Sequence, residues 1–148
     1  MENENNANLN ALHTDLKDGL EHEIRLTREL LANMRQEEIS LMLHDSGTLN
    51  QVLQVRSELV EKLSALRVRR LETTAKMEKI AAPLDTLPPE ILSLSDQLTA
   101  LNERMNRQQS QNQRISEAGD HSFFPALSKE PEMRPKRKAS VATYNPKQ

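Results

Sequence analysis

Four histidines offer the first candidates for metal or proton chemistry: His13, His22, His44 and His121. No two of them stand at i and i+4, the spacing by which one helix face presents two imidazoles to zinc. After His22-Glu23, the position that a second ligand would need holds Leu26. Cysteine is absent, which excludes disulfides and thiolate sites. Gly19, Gly47 and Gly119 are isolated, and none opens a Gly-x-x-x-x-Gly-Lys phosphate loop. Serine and aspartate are frequent, but a nucleophile needs a base and an orienting group held away from water. The acidic pairs Glu21 with Glu23 and Glu37 with Glu38 lie among Arg25, Arg28 and Arg35 at helical spacing. They read as surface ion pairs worth roughly 0.2–0.5 kcal/mol each. The chain is therefore expected to be no enzyme, with no metal and no cofactor.

What remains is apolar patterning. From Asn8 to Leu43 only Gly19 interrupts a series of Leu9, Leu12, Leu16, Leu20, Ile24, Leu31 and Met34, spaced mostly by three and four. That period belongs to an amphipathic helix. His44, Asp45, Ser46 and Gly47 supply turn and capping residues, which predict a break. A second helix is expected over about residues 48 to 82, with Val52, Leu59, Leu63, Leu66, Met77 and Ile80 on its stripe and Pro83 as its stop. Pro88-Pro89 predicts a third helix from near Glu90, since proline is tolerated in a first turn. Its stripe is Ile91, Leu94, Leu98, Leu101 and Met105, after which Gln108, Gln109, Gln111, Asn112 and Gln113 replace the apolar residues. That end is expected to be frayed or held by a partner. The three helix starts are about 40 residues apart, yet no repeat signature recurs in register.

The ends differ in composition. Asn3, Asn5, Asn6, Asn8 and Asn10 predict a disordered N-terminus over residues 1–8. From Ser116 onward Gly119, Pro125, Pro131, Pro135 and Pro146 predict a flexible tail over 116–148. Residues 1–120 hold 14 Lys or Arg against 20 Asp or Glu, whereas residues 121–148 hold six against two, so an acidic body carries a basic tail. Arg134, Lys136, Arg137 and Lys138 cluster there without aromatics beside them to stack on bases, and nucleic-acid binding is not expected. Phe123, Phe124 and Leu127 form the apolar candidate motif of the tail, to be covered by the bundle or by a partner.

At 148 residues the chain has room for one domain, here the helical body 9–115. All three aromatic residues, Phe123, Phe124 and Tyr144, lie in the tail, so the body must pack on Leu, Ile, Val, Met and Ala. A helix of about 35 residues is roughly 50 Å long, and two or three such helices make a narrow body with no deep pocket. The expected architecture is all-α: an elongated antiparallel hairpin or three-helix bundle with a disordered C-terminal tail. No run approaches the roughly 18 apolar residues of a membrane span, and the first ten residues are too polar for a signal peptide. Membrane insertion is not expected, and a cytoplasmic location is.

The order of features over residues 9–115 resembles the FlgN-like flagellar export chaperones. The resemblance rests on Leu30-Leu31 with Glu37-Glu38, the break at Asp45, Lys62 with Leu63, Leu66 and Arg70, and Leu101-Asn102 with Met105-Asn106 and Asn112. It implies a cytosolic chaperone that binds a hook-associated, type III secreted client through helical segments. On that resemblance Leu98, Leu101, Met105 and Ile115 would contact the client. Gln108, Gln109 and Gln111, followed by the two Phe, depart from the family pattern. Independently, a groove between amphipathic helices buries the apolar face of a client helix at i, i+3, i+4 and i+7, and Met77 and Met105 suit an adaptable surface or ordinary core filling. An export-apparatus component and a second copy of the chain are the further candidate partners. The competing reading is a structural coiled coil or escort protein of a type III export apparatus, whose stripe would continue through Pro83 to Pro89 unbroken.

Overall fold

The two interruptions of the apolar period become the two connections of an all-α fold. The structure, a computed structural model, describes residues 2–80 and 87–123, with side chains over 4–80 and 87–118. Among the described residues there are three helices: α1 (Glu2–Met42), α2 (Ser46–Lys79) and α3 (Pro89–Phe123). The expected stop at Pro83 lies outside the described residues. Within them α2 ends earlier, at Lys79, where the Ile80 N–H turns back to the Met77 carbonyl at 3.1 Å.

Two terminal expectations change. α1 begins at Glu2, so residues 2–8 are helical rather than disordered. Nothing in the asparagine-rich stretch breaks a helix once the leucine-rich part has nucleated it, and the acidic Glu4 lies in the first turn, near the positive end of the helix dipole. At the other end α3 continues through Phe123, past the expected tail start at Ser116 and through Gly119. A single glycine weakens a helix by only about 1 kcal/mol relative to alanine.

The α1–α2 turn is built by local chemistry. Leu43 N–H reaches the Ile39 carbonyl at 2.9 Å, His44 N–H the Leu41 carbonyl at 3.3 Å and Asp45 N–H the Ser40 carbonyl at 2.9 Å, which satisfies the orphan carbonyls of α1. His44 takes the left-handed conformation this motif needs, at φ 56°, although Gly47 stands three residues on. Asp45 then caps α2: one carboxylate oxygen accepts from the Thr48 N–H at 3.0 Å and the other from the Thr48 hydroxyl at 2.7 Å. These bonds, that of the Thr48 hydroxyl first, hold the Asp45 carboxyl below the usual carboxylate range. A group with a lowered folded pKa stabilises above its unfolded value, about 3.9, and loses that contribution as pH falls through the folded value. Asp45→Ala should therefore lower the thermal midpoint by a few degrees at pH 7, with the deficit closing below about pH 4. A deficit independent of pH in thermal scans would show that the charge-assisted cap is not its cause.

α1 is the central element: it packs along both α2 and α3, while α2 and α3 hardly approach one another. Side-chain pairing fixes the directions. Asn33 meets Val52 and Glu23 meets Arg70, so α2 runs antiparallel to α1. Lys17 meets Glu90 at 3.1 Å and Glu38 meets Gln108 at 3.1 Å, so α3 runs parallel to α1.

This arrangement demands two stripes on α1. Leu20, Ile24, Thr27, Leu31, Met34, Glu38 and Leu41 form one, turned to α3, and Glu23, Leu26, Leu30, Asn33, Glu37 and Ser40 form the other, turned to α2; all are buried or half-buried. Together they occupy roughly 200° of the helix circumference. α2 and α3 each show one seam alternating three and four: Leu49, Val52, Arg56, Leu59, Leu63, Leu66, Arg70, Thr73, Met77, Ile80, and Leu87, Ile91, Leu94, Leu98, Leu101, Met105, Gln108, Asn112, Ile115. The core divides into an N-terminal cluster of Leu16, Leu20, Ile24, Met77, Ile91, Leu98 and Leu101, and a middle cluster of Leu26, Leu30, Met34, Leu59 and Met105.

Candidate functional site

The residues expected to hold a client are used by the chain itself. Leu98, Leu101 and Met105 are 5%, 7% and 1% exposed and lie in the two core clusters. Ile115 is half-buried on the same seam. Met77 is fully buried, as core filling requires. The physical reason is the double stripe of α1, which leaves the single stripe of α3 nothing else to cover. A client could reach these side chains only by displacing α1. Of the tail motif, Phe123 is the last residue of α3, and Phe124 and Leu127 lie outside the described residues.

The amide-rich end of α3, expected to be frayed or partner-held, docks on α1. Asn112 donates to the Met34 carbonyl and to a Glu37 carboxylate oxygen, each at 2.7 Å. Gln108 donates to Glu38 at 3.1 Å and to the Asn112 side-chain oxygen at 3.0 Å, and Gln111 also donates to Glu38. Across the other seam, Arg56 donates to both Glu37 carboxylate oxygens, at 3.1 and 3.2 Å, and through Nε to the Asn33 side-chain oxygen at 3.0 Å. Asn33 donates onward to the Val52 carbonyl at 2.8 Å. One connected polar layer thus joins all three helices. Because each partner must be met in register, it determines which helix lies where.

Glu37 and Glu38 are accordingly not surface partners of Arg25, Arg28 and Arg35, and neither is Glu23. Glu23 is buried, with Arg70 Nε 2.8 Å from its Oε2. The two atoms are close, but their alignment is not that of a hydrogen bond, so attraction of charge holds the pair. Burial pushes the Glu23 carboxyl above its ordinary value, against the opposing pull of Arg70 and Arg67. The charged form is therefore a net cost to the fold, full above the raised pKa and gone below the unfolded value of about 4.3. Gln109 is also buried, with its side-chain oxygen unpartnered.

Available apolar surface lies elsewhere. At the end of α1, Ile39, Met42 and Leu43 are 51%, 64% and 71% exposed. Along α2, Leu53, Val68 and Leu71 are exposed beside half-buried Val60. At roughly 100° per residue the three exposed side chains fall within about a quarter of the α2 circumference, off its core seam, while Val60 also packs against the middle core cluster. Their sequence signal is phase: each is apolar but out of step with the stripe of its own helix. α2 is also the basic helix, with seven Lys or Arg against four Glu, where α1 has four Lys or Arg against nine Asp or Glu.

Among the described residues no group of three or more His, Asp or Glu could hold a metal ion, and no helix is long and apolar enough to cross a membrane. Compared with protein families, curated proteins and solved structures, the chain matches none.

Proposed function

We infer that the chain is a cytoplasmic helix-binding chaperone of the FlgN-like kind, holding a helical segment of a hook-associated or other type III secreted client before export. The observation that carries this reading is the exposed flank of α2, where Leu53, Val68 and Leu71 lie on one side of a helix whose own core seam is already occupied. An amphipathic client helix would lay its apolar face along that flank, and the positive balance of α2 favours a client helix with acidic edges. The site thereby moves from α3, the expectation of the family resemblance, to α2. The escort reading draws on the unbroken seam of α2 from Leu49 to Ile80 and predicts a structural partner without an exported client.

The test is capture from native cytosol, followed by titration of the purified partner. A flagellar or other type III secreted subunit should bind the wild type and bind Val68→Asp, Leu71→Asp at least about tenfold more weakly, a loss of 1.4 kcal/mol. Helix content should be unchanged, because both side chains are more than half exposed. If no secreted subunit binds, the chaperone reading fails; if one binds both proteins equally, α2 is not its site.

A further inference from the structure

The exposed apolar end of α1 and the last described turn of α3, after which the apolar motif of the sequence continues, lie toward one end of the molecule. Pairing of Glu38 with Gln108 and Gln111, and of the Met34 carbonyl with Asn112, sets α3 parallel to α1 in a fixed register. Carried forward, that register brings the last turns of α3 level with the α1–α2 turn and beyond it. Phe123, the last residue of α3, comes about three turns after Asn112. Pro125 then follows, and proline both ends a helix and turns the residue before it away from helical geometry. At the same end of the molecule Ile39, Met42 and Leu43 stand exposed, and no described part of the chain covers them well.

We propose that segment 123–127, Phe-Phe-Pro-Ala-Leu, folds back over the α1–α2 end of the bundle and covers Ile39, Met42 and Leu43. Three features make this segment the occupant rather than a second copy of the chain. It holds both phenylalanines of the sequence in an otherwise polar tail. It follows directly on the last residue of α3, at the same end as the patch, so its effective concentration there is in the millimolar range expected of short linkers. It carries no charge of its own, and the basic cluster at 134–138 begins seven residues downstream of it. The docking belongs to the chain alone and does not depend on any client.

The sequence has no cysteine, so two introduced thiols report on one contact. Full-length Ser46→Cys, Ala126→Cys protein leaves both apolar surfaces intact and should form an intramolecular disulfide under mild oxidation. Adding Phe123→Ser, Phe124→Ser, or separately Met42→Asp, Leu43→Asp, should lower its yield several-fold, with helix content by circular dichroism unchanged. A disulfide-linked dimer as the main product would assign the patch to a second copy and overturn the proposal. So would an intramolecular yield that neither pair of substitutions changes, or no crosslink at all.

Discussion

Glu37→Ala should lower the unfolding free energy by roughly 3 kcal/mol or more, the largest loss expected from any polar residue of the chain. Arg56 is only 8% exposed at its side chain, and Glu37 supplies both partners of its terminal nitrogens. Removing the carboxylate leaves a buried guanidinium with Asn33 as its remaining described partner, and it also takes one acceptor from Asn112. Replacing both members of the pair, Glu37→Leu with Arg56→Leu, should cost less than Glu37→Ala alone, because no unpaired charge is then buried. Urea unfolding of the three proteins at pH 7 distinguishes the cases. A loss under about 1 kcal/mol for Glu37→Ala would mean that water reaches the pair and that it behaves as an exposed ion pair.

Leu30→Ala should cost about 3–4 kcal/mol, from lost burial and the cavity left behind. Leu30 is 0% exposed and lies on the α2-facing stripe of α1, in the cluster where α1, α2 and Met105 of α3 meet. A cavity there loosens contacts to both neighbours of the central helix. Leu71→Ala removes the same atoms from a side chain 59% exposed and should change stability by no more than about 0.5 kcal/mol. Equal losses in denaturant unfolding would contradict α1 as the element that carries both interfaces.

The polar substitution is also informative about how the bundle avoids alternatives. Leu-rich seams with a repeat of three and four can slip by a heptad or exchange neighbours at small cost. The connected layer Val52, Asn33, Arg56, Glu37, Asn112, Gln108 and Glu38 opposes this, since a one-turn slip separates Arg56 from Glu37 and Asn33, and Asn112 from Glu37. A half-satisfied layer is worse than an apolar one, so the arrangement seen is favoured over its shifted versions even where the net stabilisation of each bond is small.

Sequence alone determined the elements. Apolar spacing of three and four, the capping cluster at Asp45 and the proline pair at 88–89 mark three helices, because helix formation and capping depend on residues within a turn or two of each other. It also determined that the core must be aliphatic, since no aromatic residue precedes Phe123. What only the tertiary structure decided is how each helix shares its circumference. Glu23, Leu26, Leu30, Asn33 and Glu37 look like a flank mixed with charge until α2 lies against them. Leu98, Leu101 and Met105 look like a free binding stripe until α1 covers them, and Gln108 and Asn112 look like a fraying end until Glu38 and the Met34 carbonyl accept their hydrogen bonds. Those differences arise between residues some 20 to 80 positions apart, where periodicity within one helix carries no information about which neighbour, if any, will bury a given face.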